Sequence, residues 1–234
     1  MTAHESFPGE ARGRVLETEV MDEAEGVKAY LDGVATAHLD RLDDTFVAAA
    51  LSRVAGRRGR RVLDVGTGTG AIPVKLVQRD PRLTVEGVDR SAEMLASARQ
   101  RAIQAGISRR VRFRRADGRR LPFPDRTFDL VVSNSLMHHL PDPVPVLDEI
   151  ARVLARGGAL FIRDLRRPSP RLIEAHIREH GRFYKGTMLR LFADSVRAAF
   201  TESEMRKVVE RSRLADAGAR VRRQFATYLV VELP

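Results

Sequence analysis

The chain has 234 residues, 31% of them charged, and a formal net charge of +10. That length supports one domain with room for a small cap, burying roughly 70% of the unfolded surface without any covalent staple. It contains no cysteine, which excludes disulfides, thiolate metal sites and a cysteine nucleophile.

No run approaches the ~18 apolar residues of a membrane span, and no basic-then-apolar leader opens the chain. A cytoplasmic location is therefore expected. Only four of the 41 basic residues are lysine. The arginines are spread along the chain, so the charge reads as compositional bias ahead of a nucleic-acid footprint.

In chain order, residues 14–51 place apolar side chains at three- and four-residue steps, which predicts two helices broken at Gly33. Val62, Leu63 and Val65 then form a buried strand running into Gly66-Thr67-Gly68-Thr69-Gly70, with a helix over 71–78. A strand that turns into a helix gathers free N–H groups and the helix dipole at one point. Glycines let a ligand approach that backbone. The spacing is G-x-G-x-G, unlike the dinucleotide fingerprint G-x-G-x-x-G. Asp64 precedes the loop, and a carboxylate there repels pyrophosphate but suits a ligand with an ammonium or sulfonium group.

A second strand over 83–88 ends in Asp89, 19 residues after Gly70. Two carboxylate oxygens at that point match the two vicinal hydroxyls of a ribose. Arg90 offers a planar guanidinium to a base, or points to solvent. Ser91 caps the next helix and Gly106 ends it. A strand over 111–116 leads into Asp117-Gly118, which also reads as a turn. Seven arginines lie between positions 109 and 120. They read as protection of an edge strand. A nucleic-acid patch would interleave aromatic residues to stack bases, and none are present.

The fourth strand, 128–134, ends at Asn134. Ser135, His138 and His139 lie beyond its carboxyl end, where open α/β sheets bind ligands. A helix starting near Asp142, with Pro143 and Pro145 in its first turn, is expected to stop at Gly157-Gly158. The fifth strand follows over 159–163, with Asp164 at its end. Residues 170–199 read as mostly helical. Within them His176, Glu179 and His180 match the H-x-x-E-H pattern of inverted zinc peptidases. A five-residue match is frequent by chance, and no metal site is expected. Thr201 begins another helix, and strands over 220–225 and 227–232 form an antiparallel hairpin.

Asp64 with its glycine loop, Asp89, Asp117-Gly118 and the strand ending at Asn134 together resemble the class I S-adenosylmethionine-dependent methyltransferases. The resemblance covers residues 60–165 by motif and the C-terminus by strand pattern. It implies a Rossmann-like α/β fold: a seven-stranded, mostly parallel sheet of order 3-2-1-4-5-7-6, with helices on both faces. An N-terminal helical cap would occupy residues 1–56. The methyltransferase domain would occupy 57–234, with a helical insertion at about 168–200. The cofactor would be S-adenosylmethionine, held by Asp64, Gly66, Thr67, Gly68, Gly70, Asp89, Arg90, Asp117, Gly118 and Asn134. In the family the acid at the position of Asp117 accepts from the adenine amino group.

The acceptor implied is a small molecule, as in the enzymes of ubiquinone and menaquinone biosynthesis. Tyr30, His38 and Ser135 are the candidate substrate-facing residues, set against ordinary packing. His138 and His139 are candidate bases because histidine titrates near neutral pH. Successive residues point in different directions, so one of the two is expected to reach the site. Asp164 would act as base or orient a histidine. The alternatives are an RNA methyltransferase using the arginine-rich surface, and a cofactor-binding protein without turnover. Against DNA amino methylation, Ser133-Asn134-Ser135-Leu136 lacks the Asn/Asp-Pro-Pro-aromatic motif.

Overall fold

The computed structural model describes residues 13–17, 33–55 and 61–233. Seven strands form one sheet in the order β3-β2-β1-β4-β5-β7-β6. They are β1 (Arg61–Val65), β2 (Thr84–Asp89), β3 (Val111–Arg115), β4 (Phe128–Asn134), β5 (Leu154–Leu165), β6 (Arg220–Gln224) and β7 (Tyr228–Glu232). The first five pair in parallel, and β7 runs antiparallel to both β5 and β6. This is the Rossmann-like sheet and strand order expected. The helices are α1 (Gly33–Ser52), α2 (Ala71–Arg79), α3 (Ala92–Gln104), α4 (Val144–Val153), α5 (Ile173–Gly181), α6 (Gly186–Ala198) and α7 (Glu202–Glu210). No helix among the described residues is long and apolar enough to cross a membrane.

Strand alternation divides the core into two layers. Val62, Leu130, Val132 and Phe161 face Phe46, Val47 and Ala50 of α1, together with α2 and α3. Leu63, Val65, Val131 and Ile162 face Leu147 and Ile150 of α4 and Met205 and Val208 of α7. By the same alternation Asp64, Asn134 and Arg163 point to the α1 face, and Asp164 points to the opposite one.

Local signals behave as their chemistry requires. Ser91 accepts from the N–H of Met94 at the start of α3. Thr201 and Glu204 form a reciprocal capping box on α7. Two expectations are corrected. Residues 13–17 are not helical: they lie along the surface, with the Val15 N–H donating to the Arg197 carbonyl. Helix α4 ends at Val153, ahead of Gly157-Gly158, and β5 begins at Leu154. The glycine pair sits inside β5, where the register against β4 shifts between Phe128 and Leu130. Gly157 there is left-handed, so it bends a strand where the sequence pattern suggested a helix stop.

Candidate functional site

The glycine loop leaves β1 at Val65. The N–H groups of Gly66 and Thr67 both donate to the Val88 carbonyl, which pins the bend to β2. Gly66, Gly68 and Gly70 all have positive φ, at 75°, 51° and 74°. Two of them are glycine for different reasons. A Cβ on Gly70 would stand 2.8 Å from the Ala98 Cβ and 2.9 Å from the Phe113 ring. A Cβ on Gly68 would meet nothing within 4 Å. Open space therefore adjoins the loop at Gly68.

Three carboxylates act on one another beside the loop. Asp64 is 1% exposed, and its Oδ2 has no hydrogen-bond donor. Burial pushes its pKa up to about 7; the Thr67 side chain opposes this and the charges of Asp89 and Asp43 add to it. Asp89, at the end of β2, accepts from the Gly68 N–H at 2.8 Å and the Ser91 N–H at 3.0 Å. The third carboxylate, Asp43, comes from α1. Burial raises its pKa to about 6.

Asp117 lies beyond β3. Its Oδ1 accepts from the Arg119 N–H at 2.9 Å, and its Oδ2 accepts from the Arg119 guanidinium at 2.6 Å. The side-chain hydrogen bonds of Arg119 lower its pKa to about 2. The turn reading of Asp117-Gly118 is thus realised. Arg90 is exposed. Its carbonyl accepts from the Arg115 Nε–H at 2.9 Å.

Asn134 ends β4. Its Oδ1 accepts from the buried Arg163 at 3.1 Å, and its Nδ2 donates to Asp43 at 3.5 Å. Ser135 then adopts a φ of 58°, unusual for a residue with a side chain. This bend carries the chain into a 3₁₀ turn, Met137–His139. Asp164 of β5 takes hold of that turn. Its Oδ2 accepts from the Met137 N–H and its Oδ1 from the His138 Nδ1–H, both at 2.6 Å. His138 and Asp164 are buried at 2% and 1% exposure. Burial opposes charging of the His138 ring, and the Asp164 carboxylate more than offsets it, so its pKa is raised.

His139 turns outward and pairs through Nδ1 with Glu17. Glu17 also accepts from the Ser195 hydroxyl at 2.6 Å and lies 3.9 Å from the His138 Nε2. Ligand atoms of Glu17, His138 and His139 fall within 4.8 Å of one another. Arg14 fastens this segment: its guanidinium donates to the carbonyls of His138 at 2.7 Å and Ala198 at 2.6 Å, and stacks on Phe200.

His38 is placed elsewhere. It stacks on Phe183 at 4.0 Å, and among the described residues no contact joins it to His138 or Asp164. Tyr30 lies outside the described residues. His176 and His180 stand ring to ring at 4.3 Å on α5. A cavity of about 650 Å³ opens beside Arg126, Arg156 and Gly157, at the amino ends of β4 and β5, away from the glycine loop.

Asp43, Glu17, Arg14 and Arg163 were missed in the sequence. Asp43 left a trace. It falls three and four residues before Phe46 and Val47, which puts an acid on the apolar stripe of α1.

An open α/β sheet with a glycine bend and acids on the carboxyl edge of β1 and β2 defines a Rossmann-like nucleoside-binding protein. Residues 63–162 match the family described as methyltransferase domain. Phosphatidylethanolamine N-methyltransferase of Cereibacter sphaeroides is 44% identical over 105 residues, which cover 45% of this chain and 50% of that one. Demethylmenaquinone methyltransferase of Deinococcus radiodurans is 37% identical over 130 residues, covering 56% and 53%. The chain spans about half the length of these relatives. A solved SAM-dependent methyltransferase from Aquifex aeolicus shares the fold, with a TM-score of 0.63 at 23% identity over 90% of this chain and 97% of that one. Residues 63–162 thus match a methyltransferase domain, and these matches support S-adenosylmethionine as its cofactor.

Proposed function

We propose that this protein transfers the methyl group of S-adenosylmethionine to a small-molecule acceptor, with His138 as the base and Asp164 as the residue that positions it. The observation that carries this reading is the buried His138–Asp164 pair, one bend beyond Asn134 at the carboxyl edge of the sheet.

The site fits the cofactor. The space beside Gly68 admits a ligand to bare backbone, and the unpartnered oxygen of Asp64 suits a cationic one. Asp89 retains free lone pairs for ribose hydroxyls beside its two backbone donors. Asp117, Gly118 and Arg90 border the nucleoside end, and Asn134 the reacting end. When bound, the cofactor supplies an already activated methyl group. The chain's own contribution is alignment and exclusion of water. Asp164 holds the proton on His138 Nδ1, leaving Nε2 to accept one from an acceptor oxygen, nitrogen or acidic carbon. His139 and Ser135 shape the turn around that atom.

The relatives with phospholipid and quinone names support a small acceptor. On the arginine-rich edge, Arg114 pairs with Glu86 and Arg119 with Asp117. This accords with edge protection more than with nucleic-acid binding. The helical cap and the insertion at 168–200 would close over the acceptor. The test is methyl transfer from labelled S-adenosylmethionine into pooled small molecules, beside calorimetry of cofactor binding. Replacing Asp89 by Ala should weaken binding strongly. Unchanged affinity would remove the assignment, and a salt-dependent gel shift of RNA would favour the other substrate class.

A further inference from the structure

Helix α1 presents three acids within five residues, and they divide by direction. Asp40 and Asp44 point outward onto α2. Lys75 lies 2.8 Å from Asp40 and 2.9 Å from Asp44, and Arg79 lies 2.8 Å from Asp44. Those ion pairs fix the helix to the element that follows the glycine loop. Asp43 points the other way, along the stripe of Phe46, Val47 and Ala50, toward the carboxyl edge of the sheet. There its one hydrogen-bond donor among the described residues is the Asn134 amide, at 3.5 Å. That is a long contact for a half-buried carboxylate.

The sheet face beneath Asp43 carries an unsatisfied acceptor. Asp64 is 1% exposed, and no donor reaches its Oδ2. A buried carboxylate oxygen without a donor is costly unless a ligand supplies one. Asp64 and Asp43 belong to different elements, but the charge of Asp43 acts on Asp64 of β1 while its carboxylate reaches Asn134 of β4. Asp89, under the ribose in the reading above, sits on the β2 side of the loop. A nucleoside anchored there would have β1 and then β4 on its other side, and Asp43 reaches Asn134 at the end of β4. The cofactor's amino-acid tail ends in an ammonium group with three N–H donors and a full charge, the complement of a carboxylate short of donors.

We propose that Asp43, on the N-terminal helix, binds the α-ammonium group of the cofactor's amino-acid tail. This makes α1 part of the cofactor site in addition to its packing role. The proposal rests on the cofactor assignment given under Proposed function.

The test is calorimetry on the full chain with three ligands: S-adenosylmethionine, S-adenosylhomocysteine and 5′-methylthioadenosine. The first two carry the ammonium, and the third has the nucleoside without the tail. Asp43→Asn should weaken the first two at least tenfold and leave the third within twofold. Binding of the third ligand also reports that the variant is folded. Asp44→Asn, which removes an equal charge from the outer face, should leave all three within twofold. The proposal is overturned if Asp43→Asn binds all three as the wild type does. Equal weakening of all three, or an equal effect of Asp44→Asn, also overturns it. A wild-type chain that binds none of them refutes the cofactor assignment itself, a result distinguishable from any effect of Asp43.

Discussion

Asp164 holds His138 from below: one carboxylate oxygen accepts the imidazole Nδ1–H and the other the main-chain N–H one residue earlier, both at 2.6 Å. Ring and turn are thus oriented by a single buried side chain. Asp164→Asn replaces an acceptor with an amide that can present the wrong partner to Nδ1, and so disturbs the tautomer. The expected outcome is a loss in kcat on the order of 100-fold, with cofactor affinity within a few-fold of wild type. Steady-state kinetics and calorimetry on the same preparation separate the two. Equal losses in both would assign Asp164 a purely structural role.

The same pair sets a pH dependence. His138 has a raised pKa in the fold. Its stabilising contribution is therefore fully present below the unfolded value of about 6.5 and is lost as pH rises through the folded value. A base must be unprotonated, so methyl transfer should climb with pH, with its acid limb above about 6.5. In Asp164→Asn the limb should move down. A rate profile from pH 5 to 9 reads it, and an unmoved limb would separate His138 from the proton transfer.

Asp64 behaves in the opposite functional sense. Burial raises its pKa to about 7. For the cofactor-free chain this contribution to stability is complete below the unfolded value of about 3.9 and is lost as pH rises through about 7. Asp64→Asn should therefore gain Tm over the wild type as pH increases from 4 to 8, by several degrees. Its affinity for S-adenosylmethionine should fall, because the cation then meets a neutral amide. Thermal melts with and without cofactor check both halves.

Gly68 and Gly70, only two residues apart in sequence, give a further contrast. Gly70→Ala forces a Cβ against Ala98 and Phe113, so it should lower stability by about 2–4 kcal/mol, from left-handed strain plus overpacking. Gly68→Ala meets no protein atom and should cost only the left-handed strain, about 1–2 kcal/mol. Its methyl group would stand in the ligand's space, so affinity should fall more than stability. Calorimetry set beside chemical denaturation distinguishes the two variants.

Arg14 ties residues 13–17 to the 3₁₀ turn through the carbonyls of His138 and Leu140 and through the ring of Phe200. Arg14→Ala should destabilise the chain by about 1.5–3 kcal/mol, seen as a Tm lower by several degrees. Deletion of residues 1–17, which also removes the Glu17 contacts to His139 and Ser195, should lower Tm further. A deletion no more destabilising than Arg14→Ala would place the stabilising contacts of this segment in Arg14 itself.

The strands and the glycine bend were legible in periodicity and turn chemistry, while the strand order and the cofactor class came from the resemblance those motifs carry to the class I methyltransferases. Each depends on neighbours in sequence: alternation along Val62–Val65, glycines where φ must be positive, and acids at strand ends. The end of α4 was misread because a glycine pair signals both a helix stop and a strand bend, and pairing with β4 decided between them. Only tertiary structure could bring Asp43 over the sheet, set Glu17 against His139, bury His138 on Asp164, and send His38 to Phe183. Those contacts join residues up to 145 positions apart, as in His38–Phe183, and their partners are selected by helix docking and burial, which no local pattern encodes.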